Sequence, residues 1–387
     1  MPAPSSQIVA SRRPASSELV RLLAATATDA DRGAQRLNEV PDEQAGPVIA
    51  AARAHGLEAW LAGASPDRPA WAELAAQRPR FVAARARSRA ELDRFGALAD
   101  RLAMPWLAVK GQAVAESLYP RPQLRYGVDI DVLVPPDRFA ELTENLTGAG
   151  WQLVDLNWPL TARTRPGQLR YLSPTGGLFD VHWNLMNNPR LRAGFPMPTQ
   201  LMLDRRRQLE SGLWALSPDD QLVHLAVHAA LSGACRLVWL LDLALAARQV
   251  ADWPALADAA GRAGAGPAVG LVLGRAQHWF DSPVPARNAR GAGPCWRAIT
   301  AAADRLSPLT SDPERPALAR SLARSTRAST GKSLVEFGRH LAAFLRSGAP
   351  RSRAASPLTD AGDRRSPLYP DEDPGARQRY LDEVGRS

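Results

Sequence analysis

Hydrophobic periodicity divides the chain into helical stretches around a short stretch of different pattern. Residues 18–103 carry apolar side chains at three- and four-residue steps with charged residues between them, which predicts amphipathic helices. The same periodicity returns in residues 206–346, where Ser217 followed by Pro218 and two acidic residues is typical of a helix start. A helical N-terminal region and a helical C-terminal domain are therefore expected.

Residues 104–205, between the helical stretches, contain short runs with a period of two. The segment VDIDVLVP alternates and predicts a strand, and PDRFAELTENLTGAG after it predicts a helix. Two further strands are expected on either side of a turn at residues 173–177, in GQLRYLSPTGGLFDVHWNL. These patterns predict an α+β fold with a small mixed β-sheet core between helical N-terminal and C-terminal regions.

The two ends of the chain have a different composition from the rest. Residues 1–17 are rich in proline and serine, and residues 347–387 are rich in proline, arginine, serine and aspartate, so both are expected to be disordered. No apolar run approaches the roughly 20 residues of a membrane span, and the N-terminus lacks the apolar core of a signal peptide. A cytoplasmic protein without membrane partners is expected.

Charge and cysteine content narrow the function only slightly. The net charge of +9 is compatible with an anionic partner such as a nucleotide, RNA or a phosphorylated substrate. The arginines are scattered along the chain without a dense block, so the charge alone does not identify a binding surface. Cys235 and Cys295 do not form a Cys-x-x-Cys pair, which argues against a zinc knuckle or a disulfide framework.

The strand VDIDVLVP carries two carboxylates in an apolar context. Because residues two apart in a strand point to the same face, Asp129 and Asp131 are expected to project together, with Val128, Ile130 and Val132 facing a core. Two carboxylates so placed repel each other unless a cation lies between them, and hard oxygen ligands favour Mg²⁺ or Mn²⁺. An Asp-x-Asp pair alone also occurs on exposed strand faces.

A third carboxylate strengthens the prediction of a metal site. In LFDVHWNL, Phe179, Val181 and Trp183 form one face, and Asp180 and His182 form the other. If this strand lies beside the first, three carboxylates converge, as in sites for two-metal phosphoryl or nucleotidyl transfer. For His182, a role in packing or in supporting a ligand is favoured over binding the metal itself.

Basic residues near the acidic strand suggest a phosphate site. Lys110 is one of two lysines in a chain that otherwise uses arginine, and with Gly111 it lies between a predicted strand and helix. A glycine at a helix N-terminus lets backbone N–H groups approach a phosphate, and the lysine adds a compact positive charge. Arg125, four residues before Asp129, can reach the same anion or remain a solvated surface residue.

Other enzyme classes are disfavoured by the absence of their motifs. No Gly-x-Ser-x-Gly or Gly-x-Gly-x-x-Gly is present, which argues against a serine hydrolase of that type and a dinucleotide dehydrogenase. His224 and His228 have the spacing of a zinc protease motif, but Leu225 occupies the position of the required glutamate.

Three segments together resemble a bacterial nucleotidyltransferase-like family of the DNA polymerase β superfamily, over about residues 45–290. LAVKGQAVAESLYPRPQLRYGVDIDVLV is similar to the core motif, in which Leu-Lys-Gly precedes a short helix and an Asp-x-Asp strand. FDVHWNL is similar to a later Asp-x-His-Trp strand. LVHLAVHAALSGACRLVWLLDLALA is similar to a helical segment with a histidine followed by Arg-Leu-x-Trp-Leu-x-Asp.

The resemblance implies a nucleotidyltransferase core with a helical domain closing a cleft. Asp129 and Asp131 would hold two Mg²⁺ ions, or Mn²⁺ in their place, and Asp180 would complete the catalytic metal site. Lys110, the Gly111 amide and Arg125 would bind the triphosphate of an NTP. An acceptor oxygen would attack the α-phosphate and release pyrophosphate.

Two positions depart from the superfamily pattern, so the phosphate contacts are expected to differ from those of its better-known members. Lys-Gly replaces the usual Gly-Ser, and the glycine that normally precedes the first aspartate is displaced to Gly127. Asp242, with Arg236 or His228 near it, is expected to form a structural polar pair.

Three functions remain open from the sequence. The leading hypothesis is transfer of NMP from an NTP to a hydroxyl or phosphate of a small molecule, of a natural-product intermediate or of a peptide-derived acceptor. A toxin-type nucleotidyltransferase acting on RNA or tRNA is the second, and a concentrated basic groove would favour it. A non-catalytic nucleotide-binding protein is the third, and it would be preferred if Asp180 lay far from Asp129 and Asp131.

Overall fold

A computed structural model describes residues 16–127, 129–280, 282–285, 309–311, 313, 335–336, 338–339, 342 and 360–387. These residues exclude Val128. They also exclude residues 1–15 and 347–359, for which disorder is predicted, and much of the helical stretch predicted to reach residue 346. Within the described part of the chain, no helix is both long and apolar enough to cross a membrane.

Helices form both flanks, as the periodicity predicts. The N-terminal helices are α1 (Ser16–Thr28), α2 (Ala30–Asn38), α3 (Asp42–His55), α4 (Glu58–Ala64), α5 (Ala72–Ala75) and α6 (Arg78–Arg101). The C-terminal helices before residue 281 are α12 (Pro218–Leu231), α13 (Leu237–Ala247), α14 (Trp253–Arg262) and α15 (Gly266–Phe280). At the start of α12 the Ser217 hydroxyl accepts a hydrogen bond from the Asp220 N–H at 3.3 Å, which confirms the predicted cap.

The segment between the flanks supplies most of a mixed sheet. Its strands are β1 (Leu107–Ala108), β2 (Ile130–Leu133), β3 (Gln152–Leu153), β4 (Gln168–Leu172) and β5 (Leu178–His182), followed by β6 (Arg207–Gln208) and β7 (Trp214–Ala215). The helices among them are α7 (Gln112–Leu118), α8 (Phe139–Gly148), α9 (Trp158–Thr164), α10 (Pro189–Gly194) and α11 (Thr199–Asp204). The strand order is β3-β4-β5-β2-β1-β7-β6, and the α+β prediction is confirmed.

Alternation along the strands separates two hydrophobic cores. Ile130 and Val132 of β2, with Phe179 and Val181 of β5, pack on one side of the sheet together with the second half of α6 and with α8. Leu133 faces the other side, where one core joins helices of both flanks. The two helical regions are thus packed together over one face of the sheet, the face toward which Asp131 and Asp180 also point.

The sheet extends beyond the boundary predicted at residue 205. β7 pairs in parallel with β1, and β6 pairs with β7, so part of the stretch assigned to the helical C-terminal domain belongs to the sheet. Strands of two residues are too short to show a period of two, which explains why the sequence pattern does not reveal them.

The prediction of a disordered tail is wrong for its last part. Pro374–Gly385 forms a helix that packs against α8 and α9. The Tyr380 hydroxyl donates to the Pro166 carbonyl and accepts from the Trp183 indole N–H, both at 2.9 Å. Tertiary burial of a few apolar side chains therefore outweighs the polar composition on which the prediction rested.

Candidate active site

Parallel pairing of β2 and β5 brings two distant carboxylates side by side. In the register of this pair, Asp131 lies opposite Asp180, and Leu133 lies opposite His182. Side chains at matched positions of adjacent strands project from the same face, so the two carboxylates and the histidine share one surface of the sheet. The convergence expected for Asp131 and Asp180 is confirmed.

Asp131 is the most heavily contacted member of the cluster. Its side chain is 5% exposed. The Lys110 ammonium lies 3.1 Å from Asp131 Oδ1, and His182 Nε2 donates to the same oxygen at 3.0 Å. One carboxylate oxygen of each aspartate and a ring nitrogen of His182 all lie within 4.8 Å of one another.

The environment moves the pKa values of the two aspartates in opposite directions. Burial would raise the pKa of Asp131, but the Lys110 charge and the His182 hydrogen bond hold that pKa well below its usual range. The pKa of Asp180 is raised, chiefly by burial and also by the neighbouring Asp131 carboxylate. Two carboxylates that disfavour each other's ionisation form a surface that a divalent cation would stabilise.

Asp129 lies at the opening of this surface and outside the three-residue cluster. It precedes the first residue of β2, so the strand alternation that orients Asp131 does not orient its side chain. Asp129 is exposed and lines the same cleft as Lys110 and Asp131. The structure therefore places Asp129 near the cluster, without the direct contact that Asp131 makes.

Lys110 and Gly111 connect β1 to α7 beside the acidic cluster. Gly111 has φ +54° and ψ −109°, a backbone conformation that side-chain-bearing residues rarely adopt. A Cβ at this position would lie 3.2 Å from the Asp129 carbonyl oxygen. The sequence requires glycine here because the chain turns sharply where it passes close to the backbone of the acidic segment.

Arg125 occupies the same cleft but is held by the helical domain. Its Nε and Nη2 donate to the two carboxylate oxygens of Asp242, each at 2.9 Å. The Tyr119 hydroxyl also donates to Asp242, at 2.7 Å. The prediction that Asp242 pairs with Arg236 or His228 is wrong, because its partners come from the segment that follows α7. Arg125 also reaches the Gly111 carbonyl at 3.5 Å through Nη1.

A single cleft of about 470 Å³ joins these features to the helical flanks. On the sheet side it is lined by Lys110, Gly111, Asp129 and Asp131. On the helical side it is lined by the end of α3, the start of α4 and the region of α12 and α13. These residues are Arg53, Gly56, Glu58, His228, Ser232, Arg236, Val238 and Trp239. Its volume is within the range of about 300–1,000 Å³ typical of small-molecule sites.

A family model described as an uncharacterised nucleotidyltransferase matches residues 41–281. This range is more than half of the chain and contains the acidic cluster and the whole lining of the cleft. The chain belongs to this family. The resemblance inferred from the sequence motifs is thereby confirmed, and the search of curated proteins gave no match.

Membership of this nucleotidyltransferase family gives the acidic cluster a chemical context. Nucleotidyl transfer requires neutralisation of phosphate charge, and the hard oxygen donors of Asp131 and Asp180 suit a divalent metal such as Mg²⁺. His182 Nε2 is already engaged with Asp131, which agrees with its predicted supporting role.

Sequence reasoning missed two residues near the acidic segment, Tyr126 and Gln168. The Tyr126 ring packs edge-on against Phe81 at 5.1 Å, which anchors the loop before Asp129 to α6. Gln168 on β4 lies opposite His182 in the antiparallel pairing of β4 with β5. Neither position carries a local sequence signal, because both contacts depend on long-range packing.

Proposed function

We propose that the protein is a Mg²⁺-dependent nucleotidyltransferase that moves NMP from an NTP to a hydroxyl or phosphate of a small molecule or natural-product intermediate. The observation that carries this proposal is the in-register pairing of Asp131 with Asp180 beside Lys110, at one end of a cleft large enough for a nucleotide. Family membership supports the same general chemistry.

The metal ligands in this proposal are Asp131, Asp180 and Asp129. Two Mg²⁺ ions bound there would neutralise charge on the triphosphate and polarise the α-phosphate. Asp180 takes the proton from the acceptor hydroxyl as general base. His182 keeps Asp131 oriented through its hydrogen bond to Oδ1.

Lys110 binds the triphosphate in this proposal, together with the backbone at Gly111. The ammonium is within reach of both the acidic cluster and the cleft, so it can exchange its contact with Asp131 for one with a phosphate oxygen. Arg125 adds a hydrogen-bond donor at the same place, because Asp242 holds two of its nitrogens and leaves Nη1 with one long hydrogen bond.

A small acceptor agrees better with the cleft than RNA does. Of its basic side chains, Arg53 pairs with Glu58 and Arg125 pairs with Asp242. A surface for nucleic acid carries basic groups that are available to many phosphates. The close approach of Asp180 to Asp131 argues against the non-catalytic alternative.

The test is incubation of the full chain with each α-³²P-labelled NTP, Mg²⁺ and cell extract, followed by separation into small-molecule, peptide and RNA fractions. We expect label in the small-molecule or peptide fraction, dependent on Mg²⁺ and absent with Asp131→Asn. Asp137→Asn, which changes an exposed acid outside the cleft, is the matched control. Label confined to RNA would refute the acceptor class, and no labelled product in any fraction would refute the function.

A further inference from the structure

The helical side of the cleft contains a tryptophan and an arginine that the proposed chemistry does not use. Trp239 and Arg236 line the same cleft as Lys110 and Asp131 but belong to the start of α13. These two side chains form one wall of the cleft, and we infer that this wall binds the nucleobase of the donor NTP by stacking. This inference rests on the proposed function and adds a base-binding site to it.

The planar side chains of this wall are held in fixed positions by contacts with their neighbours. The Arg236 guanidinium lies 5.7 Å from the centre of the Trp239 ring, and its Nε donates to the Ala54 carbonyl at 2.9 Å. The His228 ring meets the indole edge-on at 5.8 Å and 89°. A surface whose groups are positioned before the ligand arrives loses less freedom on binding.

A glycine lets the N-terminal flank close against this wall. Gly56 ends α3 with φ +74°, and a Cβ there would lie 2.8 Å from Val238 Cγ1. The end of α3 can therefore approach the start of α13 as closely as it does only because this residue has no side chain. The contact brings Ala54 to Arg236 and completes the rim of the cleft.

Stacking chemistry fits a base at this position better than a phosphate. Bases stack on aromatic rings and on guanidinium planes, and every base offers a flat face for this contact. Trp239 is half-buried, so part of its ring area faces the cleft and part packs on the main core. Lys110 and Asp131, at the sheet side of the same cleft, supply the charged end that a triphosphate and its metal require.

The experiment measures dissociation constants of the full chain in Mg²⁺ for each of the four NTPs and for inorganic tripolyphosphate. We expect Trp239→Leu to weaken NTP binding about 10-fold, within the range of base–aromatic stacking, and to leave tripolyphosphate binding unchanged. Trp214→Leu is the matched control: Trp214 is also half-buried with an arginine, Arg206, over its ring at 4.6 Å, but it lies outside the lining of the cleft.

A second measurement uses the wild-type protein, so its result does not depend on whether the Trp239→Leu variant folds. The triphosphate of 2-aminopurine riboside loses fluorescence when its base stacks, so binding to the wild-type chain should quench it. Bound but unquenched probe would overturn the inference. So would a Trp239→Leu variant that binds NTPs as tightly as wild type, or one that weakens NTPs and tripolyphosphate equally.

The results distinguish a failure of the proposed function from a failure of the proposed base site. If wild type binds no NTP while it is folded, the nucleotidyltransferase proposal falls and the base site falls with it. If wild type binds NTPs and Lys110→Met weakens both NTPs and tripolyphosphate, the phosphate end stands, whatever the result at Trp239.

Discussion

Two groups of charged side chains border the cleft, one through Arg125 and the other through Lys110 and Asp131, but they differ in how completely their charges are matched. Asp242 is 1% exposed and accepts hydrogen bonds from Tyr119 and from two nitrogens of Arg125. In the other group, Asp131 contacts the Lys110 ammonium and the His182 ring, and a carboxylate oxygen of Asp180 lies within 4.8 Å of both Asp131 and His182.

This difference separates a charge-balanced group from one suited to bind a cation. In the Asp242 group, one carboxylate is hydrogen-bonded to one guanidinium and one hydroxyl. Its negative charge is therefore balanced, and it has little capacity to bind a further cation. The Asp131–Asp180 group has an excess of negative charge, and the raised pKa of Asp180 reflects both burial and that excess. A carboxylate pair with unmatched charge is the place where a metal ion and substrate have most to gain.

Substitution of Asp131 should have the largest effect on activity. We expect Asp131→Asn to lower nucleotide transfer by about 1,000-fold or more, because it removes a metal ligand worth several kcal/mol at the transition state. The amide can still accept the His182 hydrogen bond, so circular dichroism should show a folded chain. Transfer at the wild-type rate would eliminate Asp131 as a ligand.

Substitution of Asp242 should chiefly affect stability. Asp242→Ala leaves the buried Arg125 without its partner, and we expect the free energy of unfolding to fall by about 3–5 kcal/mol. Urea denaturation measures this change. Glu141→Gln, in the half-buried two-point pair with Arg138 at the protein surface, is the control and should move the midpoint little. A similar small change in both variants would show that the Asp242 group is not structural.

Removal of the Lys110 charge should have an intermediate effect on catalysis. We expect Lys110→Met to reduce kcat/KM for the NTP by about 100-fold, the magnitude typical of one preorganised electrostatic contact. Lys110→Arg should recover only part of this loss, because a planar guanidinium does not replace a compact ammonium. Steady-state kinetics with both variants checks this, and full activity of the methionine variant would contradict the phosphate role.

The smallest effect is expected for the Tyr119 hydroxyl. Tyr119→Phe removes one of three hydrogen bonds to Asp242 while the Arg125 pair remains, and we expect a loss of about 1.5 kcal/mol in the free energy of unfolding. Thermal and urea unfolding should agree on this value. A loss as large as that of Asp242→Ala would mean that the tyrosine, and not the ion pair, stabilises the group.

The sequence reveals those features of the site that have a local period. The alternation in β2 and β5 identifies the faces of Asp131, Asp180 and His182 because one face of each strand carries only apolar side chains. The direction and register of pairing depend on the rest of the fold, and the motifs alone do not specify them. The roles of Asp129, Asp131, Asp180, Lys110, Gly111 and Arg125 remain predictions.

Features that rest on long-range contacts could not be predicted. The partner of Asp242 comes from a loop more than 100 residues earlier in the chain, and no periodicity connects the two. The helix at Pro374–Gly385 did carry a signal, since Ala376, Tyr380 and Val384 recur at four-residue steps. The polar composition around these residues concealed it.

The register of β2 and β5 also has a consequence for the order of folding. His182 and Asp131 are 51 residues apart in sequence, and the segment between them contains α8, α9 and the strands β3 and β4. Parallel pairing over such a separation is entropically costly and forms slowly compared with local helices. The acidic cluster is therefore expected to be assembled late in folding, when secondary structure is already largely formed. During refolding, the helical circular dichroism signal should return before the nucleotide-transfer activity.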